Sequence, residues 1–117
     1  MADTYERRIV VTRVIDADTV VADVDLGMRQ WFCGVQLRLL RINAPEVHGP
    51  SAPAGHVATA YTEDWLQIHN GHGRMFGRTE LTDSFGRYLA EVTCGGCGHN
   101  LSDDLLTSGN AVPYKAK

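Results

Sequence analysis

Lysine, net positive charge and long apolar runs are all scarce in this chain. Only two of its eleven basic residues are lysine, Lys115 and Lys117, both within the last three positions. The formal charge is −3, which argues against a protein that coats nucleic acid by charge alone. No run approaches the ~20 apolar residues that a membrane span needs. Met1 to Arg8 is polar and charged, without the apolar stretch of a secretory signal. Three cysteines are an odd number and a poor disulfide framework. The expectation is a cytoplasmic chain with no membrane partner, and a monomer. Repeats, linkers and low-complexity tracts are missing too.

The length of 117 residues suits one domain, residues 1–117, with a single core. Positions 1–7 and 115–117 are expected to be flexible ends. With 44% apolar and 21% charged residues, the composition is that of an ordinary globular protein. Nine of the basic residues are arginine, whose planar fork suits phosphate where lysine offers a point charge. A GC-rich genome gives the same bias without functional meaning.

Arg8 to Asp16 is β-branched and reads as a strand, and Asp16-Ala17-Asp18 as a turn. Thr19 to Leu26 alternates, with Val20, Ala22, Val24 and Leu26 on one face. Trp31 to Ile42 reads as a long third strand with Trp31, Cys33, Val35, Leu37 and Leu39 on one face. Gly34 marks a bulge or bend. Residues 47–55 carry loop chemistry. A helix comes next, with Val57, Tyr61, Trp65 and Ile68 at helical spacing, closed by Asn70-Gly71. Arg74 to Leu81 and Arg87 to Thr93 read as the fourth and fifth strands, the last with Tyr88, Ala90 and Val92 on one face. Asn100 or Ser102 caps a short helix that buries Leu101 and Leu105 and stops at Gly109. The expected fold is β-rich α+β, a five-stranded Greek-key barrel of the OB type with two or three helices. Periodicity alone also permits an open α+β sheet.

The polar residues left over once the core is assigned are Asp18, Arg38, Asn43, Glu46 and Arg87. They come from distant parts of the chain, and a closed fold is needed to gather them. Arginines, oxygen ligands and a carboxylate around a hard cation make a minimal kit for phosphodiester cleavage. The cation polarises a phosphoryl oxygen, the arginines stabilise developing charge, and the carboxylate accepts a proton from water.

Ile15-Asp16-Ala17-Asp18-Thr19-Val20, Arg38 through Glu46, and Asp83-Ser84-Phe85-Gly86-Arg87 resemble three signature segments of the staphylococcal nuclease (thermonuclease) family, in the same order. Asn100-Leu101, the helix to Gly109 and Tyr114 resemble its closing segment, so the likeness runs from about Val10 to Tyr114. The resemblance implies an OB barrel and a Ca²⁺-dependent phosphodiesterase, a nuclease that cuts DNA and RNA with little sequence preference. Carried over by position, it implies Asp18 as a carboxylate metal ligand. Asn43 falls at a second ligand position usually held by a carboxylate, and Ala44 at a ligating backbone carbonyl. Glu46 matches the general base, Arg38 and Arg87 the phosphate clamp, and Tyr114 a residue lining the nucleotide site. Asp16 stands at an acidic position supporting the metal loop. Asn43 is a departure that removes one ligand charge, and the chain ends before the C-terminal helix of longer members.

Blander readings stand beside these. Arg38 has an alternative as one half of a structural ion pair with Asp18 or Glu46. Asp16 and Asp18 have one as turn residues. An OB-fold binding module without catalysis, recognising single strands or a protein, is the competing functional class, and Asn43 favours it. Cys94-Gly95-Gly96-Cys97-Gly98-His99 invites a zinc site, but Cys-x-x-Cys supplies two ligands where a structural site needs about four. His99, His72 or Cys33 would have to supply the others. A tight hairpin with the cysteines flanking a glycine turn is the favoured account, and a disulfide across that turn is the third. Most of the other histidines are expected to be solvated.

Overall fold

The structure, a computed structural model, describes residues 5–45, 49–50, 52–70, 75–82, 87–95 and 98–114. Three antiparallel strands open the chain: β1 (Tyr5–Asp16), β2 (Thr19–Gly27) and β3 (Gln30–Leu39). A two-residue strand β4 (Ile42–Asn43) is next, then helix α1 (Ala52–Asn70), strands β5 (Met75–Thr82) and β6 (Tyr88–Cys94), helix α2 (Leu101–Thr107) and a short β7 (Val112–Pro113). The main sheet closes on itself in the order β1-β2-β3-β6-β5. Closure comes from a parallel contact, in which Leu37, Arg38 and Leu39 of β3 lie beside Tyr88, Leu89 and Ala90 of β6. A closed five-stranded barrel with its helix between the third and fourth barrel strands is the expected OB arrangement. It excludes the open sheet that periodicity left standing.

Alternation decides what fills the barrel. Val20, Ala22 and Val24 of β2, Val35, Leu37 and Leu39 of β3, and Ala90 and Val92 of β6 are buried. Each such Val or Leu contributes about 1.5–3 kcal/mol by leaving water. Leu101 and Leu105 of α2 close one end, both fully buried. Asn100 caps that helix, its side chain accepting from the Asp103 N–H, which satisfies one of the donors a helix start leaves open.

Four local expectations need correction. First, β1 begins at Tyr5 rather than Arg8. Tyr5, Glu6 and Arg7 pair with Thr79, Arg78 and Gly77 of β5, so the segment expected to be a loose leader is part of the barrel wall from Tyr5 onward. Second, the third strand does not run on to Ile42. Arg41 adopts φ +71°, which ends the ladder at Leu39, and Ile42–Asn43 pairs instead with β7. Third, Trp31 and Cys33 are exposed while Val35, Leu37 and Leu39 are buried. Gly34 supplies the reason: at φ +70° it carries a bulge that shifts the register between Phe32 and Val35, so the alternation loses phase there.

Fourth, α1 presents a different face from the expected stripe and starts earlier, at Ala52. Ala58, Thr62, Trp65 and Leu66 are buried, whereas Val57 and Ile68 are 65% and 60% exposed. The Thr62 hydroxyl donates to the Ala17 carbonyl at 2.9 Å, and this bond, invisible to a count of apolar residues, selects the face that docks on the β1–β2 turn. Among the described residues no helix is long and apolar enough to cross a membrane.

Candidate active site

The two residues between β1 and β2, Ala17 and Asp18, are both buried. Asp18 is a carboxylate in an apolar wall, and its oxygens are matched with donors as burial requires. Oδ2 accepts the Ala44 N–H at 2.9 Å and lies 3.4 Å from the Arg38 guanidinium. Oδ1 accepts the Thr19 hydroxyl at 3.2 Å. The backbone contributes as well, since Asp18 O accepts the Leu39 N–H at 2.8 Å. A turn from one end of the sequence is thereby fastened to the β3–β4 segment from its middle.

Arg38 reaches this point because Thr19 and Arg38 are register partners on β2 and β3. Its side chain is only 12% exposed and is aimed by main-chain acceptors: Nη1 donates to Leu39 O at 2.8 Å and Nη2 to Ile42 O at 3.0 Å. Nη2 also approaches the Asn43 amide oxygen at 3.4 Å. The guanidinium carbon lies 5.9 Å from the centre of the Tyr114 ring, within cation–π range. Tyr114 is held there by its N–H, which donates to Arg41 O at 2.9 Å. A cleft of about 410 Å³ runs beside these groups, lined by Asn43, Ala44, Pro45, Asn110, Ala111 and Val112 among others.

Asp18, Arg38, Asn43, Ala44 and Tyr114 therefore share one corner of the barrel. Asp16 stands at the end of β1, opposite Thr19 in register, and its Oδ1 is buried with no hydrogen-bond partner. A buried, unmatched carboxylate oxygen is costly unless a cation or water serves it. The donors present here are carboxylate, amide and carbonyl oxygens, the hard set that Ca²⁺ takes. The chain fits that ion on donor type, with one carboxylate fewer where Asn43 stands. Arg87 is half-buried and precedes β6 by one residue, two before Leu89, the register partner of Arg38. Glu46 lies outside the described residues, two beyond Ala44.

The structural ion pair of Arg38 with Asp18 is observed. A second arginine of the same segment does the larger structural work, and nothing in the sequence pattern assigned it a role. Arg41 forms a two-pronged pair with the buried Glu91, Nε to Oε2 at 2.7 Å and Nη2 to Oε1 at 2.9 Å, and a further contact with Asp103 at 2.8 Å. The Glu91 hydrogen bonds, with Asp103 adding to them, raise the Arg41 guanidinium above the ordinary arginine value. The available signal was Glu91 itself, a charge placed between Ala90 and Val92 in a barrel strand. Thr19 and Thr62 were likewise missed, since a threonine that orients a turn has the same composition signature as one that fills a strand.

The fold and this corner together define a class: a closed OB-type barrel carrying a carboxylate–arginine cluster at the mouth between its first turn and third strand. More particularly, the chain belongs to the staphylococcal nuclease homologue family, whose sequence model matches residues 36–117. Comparison with curated proteins gave no match. The matched stretch includes Arg38, Asn43, Glu46, Arg87 and Tyr114 but not the first hairpin. Asp18 joins these residues through contact, by its bonds to Ala44 and Arg38.

Proposed function

We propose that the chain is a Ca²⁺-dependent nuclease of the thermonuclease type, a phosphodiester hydrolase acting on DNA or RNA with little sequence preference. The observation that carries this reading is the buried Asp18 carboxylate bound to the Ala44 N–H and to Arg38, with Arg38 in turn reaching the Asn43 amide oxygen. Asp18, the Asn43 amide oxygen and the Ala44 carbonyl are the groups that would hold Ca²⁺, with Asp16 in support. When bound, the ion polarises a phosphoryl oxygen and offsets its charge. Arg38 and Arg87 bind the equatorial oxygens and stabilise the charge that develops on them. Arg38 suits this role because carbonyl acceptors at Leu39 and Ile42 fix its guanidinium in advance. Glu46 accepts a proton from the attacking water. The water oxygen bonds to phosphorus as the bond to the 5′-oxygen breaks; the 5′-oxygen takes a proton from solvent to leave as a hydroxyl, and a 3′-phosphate remains. Tyr114, beside Arg38, is the residue that would contact the nucleotide.

The test is cleavage of labelled DNA and RNA with Ca²⁺ and again with chelator, for the parent and for Glu46→Gln. Ca²⁺-dependent cleavage that the glutamine variant loses by about 10²-fold or more, with an unchanged circular dichroism spectrum, supports the reading. Equal cleavage by the variant removes Glu46 as the base. One observation favours a second reading, an OB module that binds single strands without cutting them. Asn43 carries no charge where a second carboxylate would strengthen cation binding. Retention of single-stranded oligonucleotide with no cleavage at millimolar Ca²⁺ selects that alternative.

A further inference from the structure

We propose that His69, His99 and Asp104 form a binding site for one divalent transition-metal ion of the zinc type, separate from the nuclease corner. The three residues come from different segments: His69 from the last turn of α1, His99 from the connection between β6 and α2, and Asp104 from α2. One ligand atom of each lies within 4.8 Å of the other two. Tetrahedral zinc, with bonds of 2.0–2.2 Å, sets its ligand atoms about 3.3 Å apart. The trio therefore needs a contraction of roughly 1.5 Å or less. His99 is on the surface, with a side chain 53% exposed, and a change of its rotamer supplies such a movement without disturbing the core.

The donor chemistry selects the ion. Two imidazole nitrogens and one carboxylate oxygen match Zn²⁺, Co²⁺ or Ni²⁺, whereas Ca²⁺ and Mg²⁺ take oxygen. The surroundings resemble those of a built site. Asp104 Oδ2 accepts the indole N–H of Trp65 at 2.7 Å, and Trp65 is 4% exposed, so a buried group fixes the carboxylate. His99 Nδ1 lies 2.9 Å from the same oxygen. These two donors already stand near the ligand spacing of tetrahedral zinc. The His69 ring lies between Trp65 and His99, tilted against each, at centroid distances of 4.3 and 4.9 Å. Three protein donors leave a fourth position for water.

Part of the zinc motif weighed in the sequence is thus present in a different combination. His99 contributes, but its companions are a histidine four positions past Trp65 and an aspartate five positions onward, not a thiolate pair. Cys94 is buried beside the site, with its Sγ 3.6 Å from His69 O. It stays outside the proposed donor set. Cys97 lies outside the described residues. The turn itself is closed by Cys94 N–H donating to His99 O and Gly98 N–H to Cys94 O, both at 2.8 Å. Gly98 takes the left-handed conformation, φ +75°. A bound ion would tie this turn to both helices.

Tag-free, chelator-treated full-length chain is titrated with ZnCl₂ by calorimetry and with CoCl₂ by visible absorption. One equivalent of zinc is expected to bind with Kd of about 1 μM or tighter, accompanied by a rise in Tm. Cobalt should give d–d bands without a thiolate-to-cobalt charge-transfer band. His69→Ala and His99→Ala should each weaken binding by about tenfold or more, while His56→Ala, exposed on the same helix, leaves it unchanged. His99 is exposed, so its variant keeps the fold and the comparison informative. Absence of saturable binding overturns the proposal, as does binding that His56→Ala weakens as much as His99→Ala. A charge-transfer band overturns the nitrogen-and-oxygen donor set.

Discussion

The Asp18 carboxylate and the Arg38 guanidinium lie 3.4 Å apart with both side chains almost withdrawn from water. Neither is held by the other alone. Asp18 also accepts from Ala44 N–H and the Thr19 hydroxyl, and Arg38 donates to two carbonyls. This sharing makes the two halves of the pair separable by mutation. In Asp18→Asn the amide oxygen still accepts from Ala44, while the charge facing Arg38 and the acceptor for the Thr19 hydroxyl are lost, at a cost of about 1–2 kcal/mol. Asp18→Ala removes both functions and should cost about 3 kcal/mol. Urea unfolding with unchanged m-values checks the ordering. Both variants should lower Ca²⁺-dependent cleavage by about 10²-fold or more; stability loss without loss of cleavage would make Asp18 structural only.

How far the sequence reaches is clear from Leu37 to Asn43. The apolar alternation identified the barrel strand and the buried Leu37 and Leu39, because period two is set by the pleat itself. Arg38 and Asn43 stood out as candidates because a charge and an amide interrupt that pattern. The chain reversal after Leu39 was not legible. Arg41 takes a positive φ there, and its side chain is bound by Glu91, fifty positions later. The same limit explains α1, where apolar spacing pointed to Val57 and Ile68 but a single hydroxyl-to-carbonyl bond turned the helix. Side-chain hydrogen bonds between distant segments leave no periodic trace.

That hydroxyl supplies a second prediction. Thr62 is fully buried, and its bond to Ala17 O steadies the turn that presents Asp18. Thr62→Val keeps the volume and removes the donor, so stability should fall by about 1–3 kcal/mol. Thr62→Ser should retain most of it. If the turn positions Asp18, the valine variant also needs more Ca²⁺ for half-maximal cleavage, and the serine variant does not. A stability loss with unchanged Ca²⁺ dependence would confine Thr62 to packing.

Asn43 is the residue at which charge count can be restored. Its amide oxygen lies 3.4 Å from Arg38 Nη2, so an aspartate there meets a cation already in place and costs the fold little. Asn43→Asp should lower the Ca²⁺ concentration for half-maximal cleavage by about tenfold. Calorimetric Ca²⁺ titration without substrate checks that the gain is in ion binding. An unchanged midpoint in both measurements would show that position 43 does not contribute to the cation site.

Arg41 permits the conformational and electrostatic parts of one residue to be measured apart. Its φ of +71° strains any side chain with a Cβ by about 1 kcal/mol. Its pair with Glu91 offsets that cost, although Arg41 itself is 44% exposed against 8% for Glu91, so water screens the attraction. Arg41→Ala keeps the strain and leaves the Glu91 carboxylate with Asn100 Nδ2, 3.1 Å away, as its remaining partner among the described residues. The expected loss is about 1–3 kcal/mol, below the range for a fully buried pair. Arg41→Gly removes the same contacts but relieves the strain, and should be about 0.5–1 kcal/mol more stable than the alanine variant. Glu91→Gln should cost less in the Arg41→Ala background than in the parent, which a double-mutant cycle reads as coupling. The Arg41 guanidinium is raised above an ordinary arginine. Its contribution is therefore fully present below arginine's usual titration range and is lost only as pH climbs through the raised value. Salt, not alkali, is the practical way to weaken the exposed side of the pair. Additive losses in the cycle would mean that the left-handed turn, rather than the ion pair, is what holds β3 to β6 at this point.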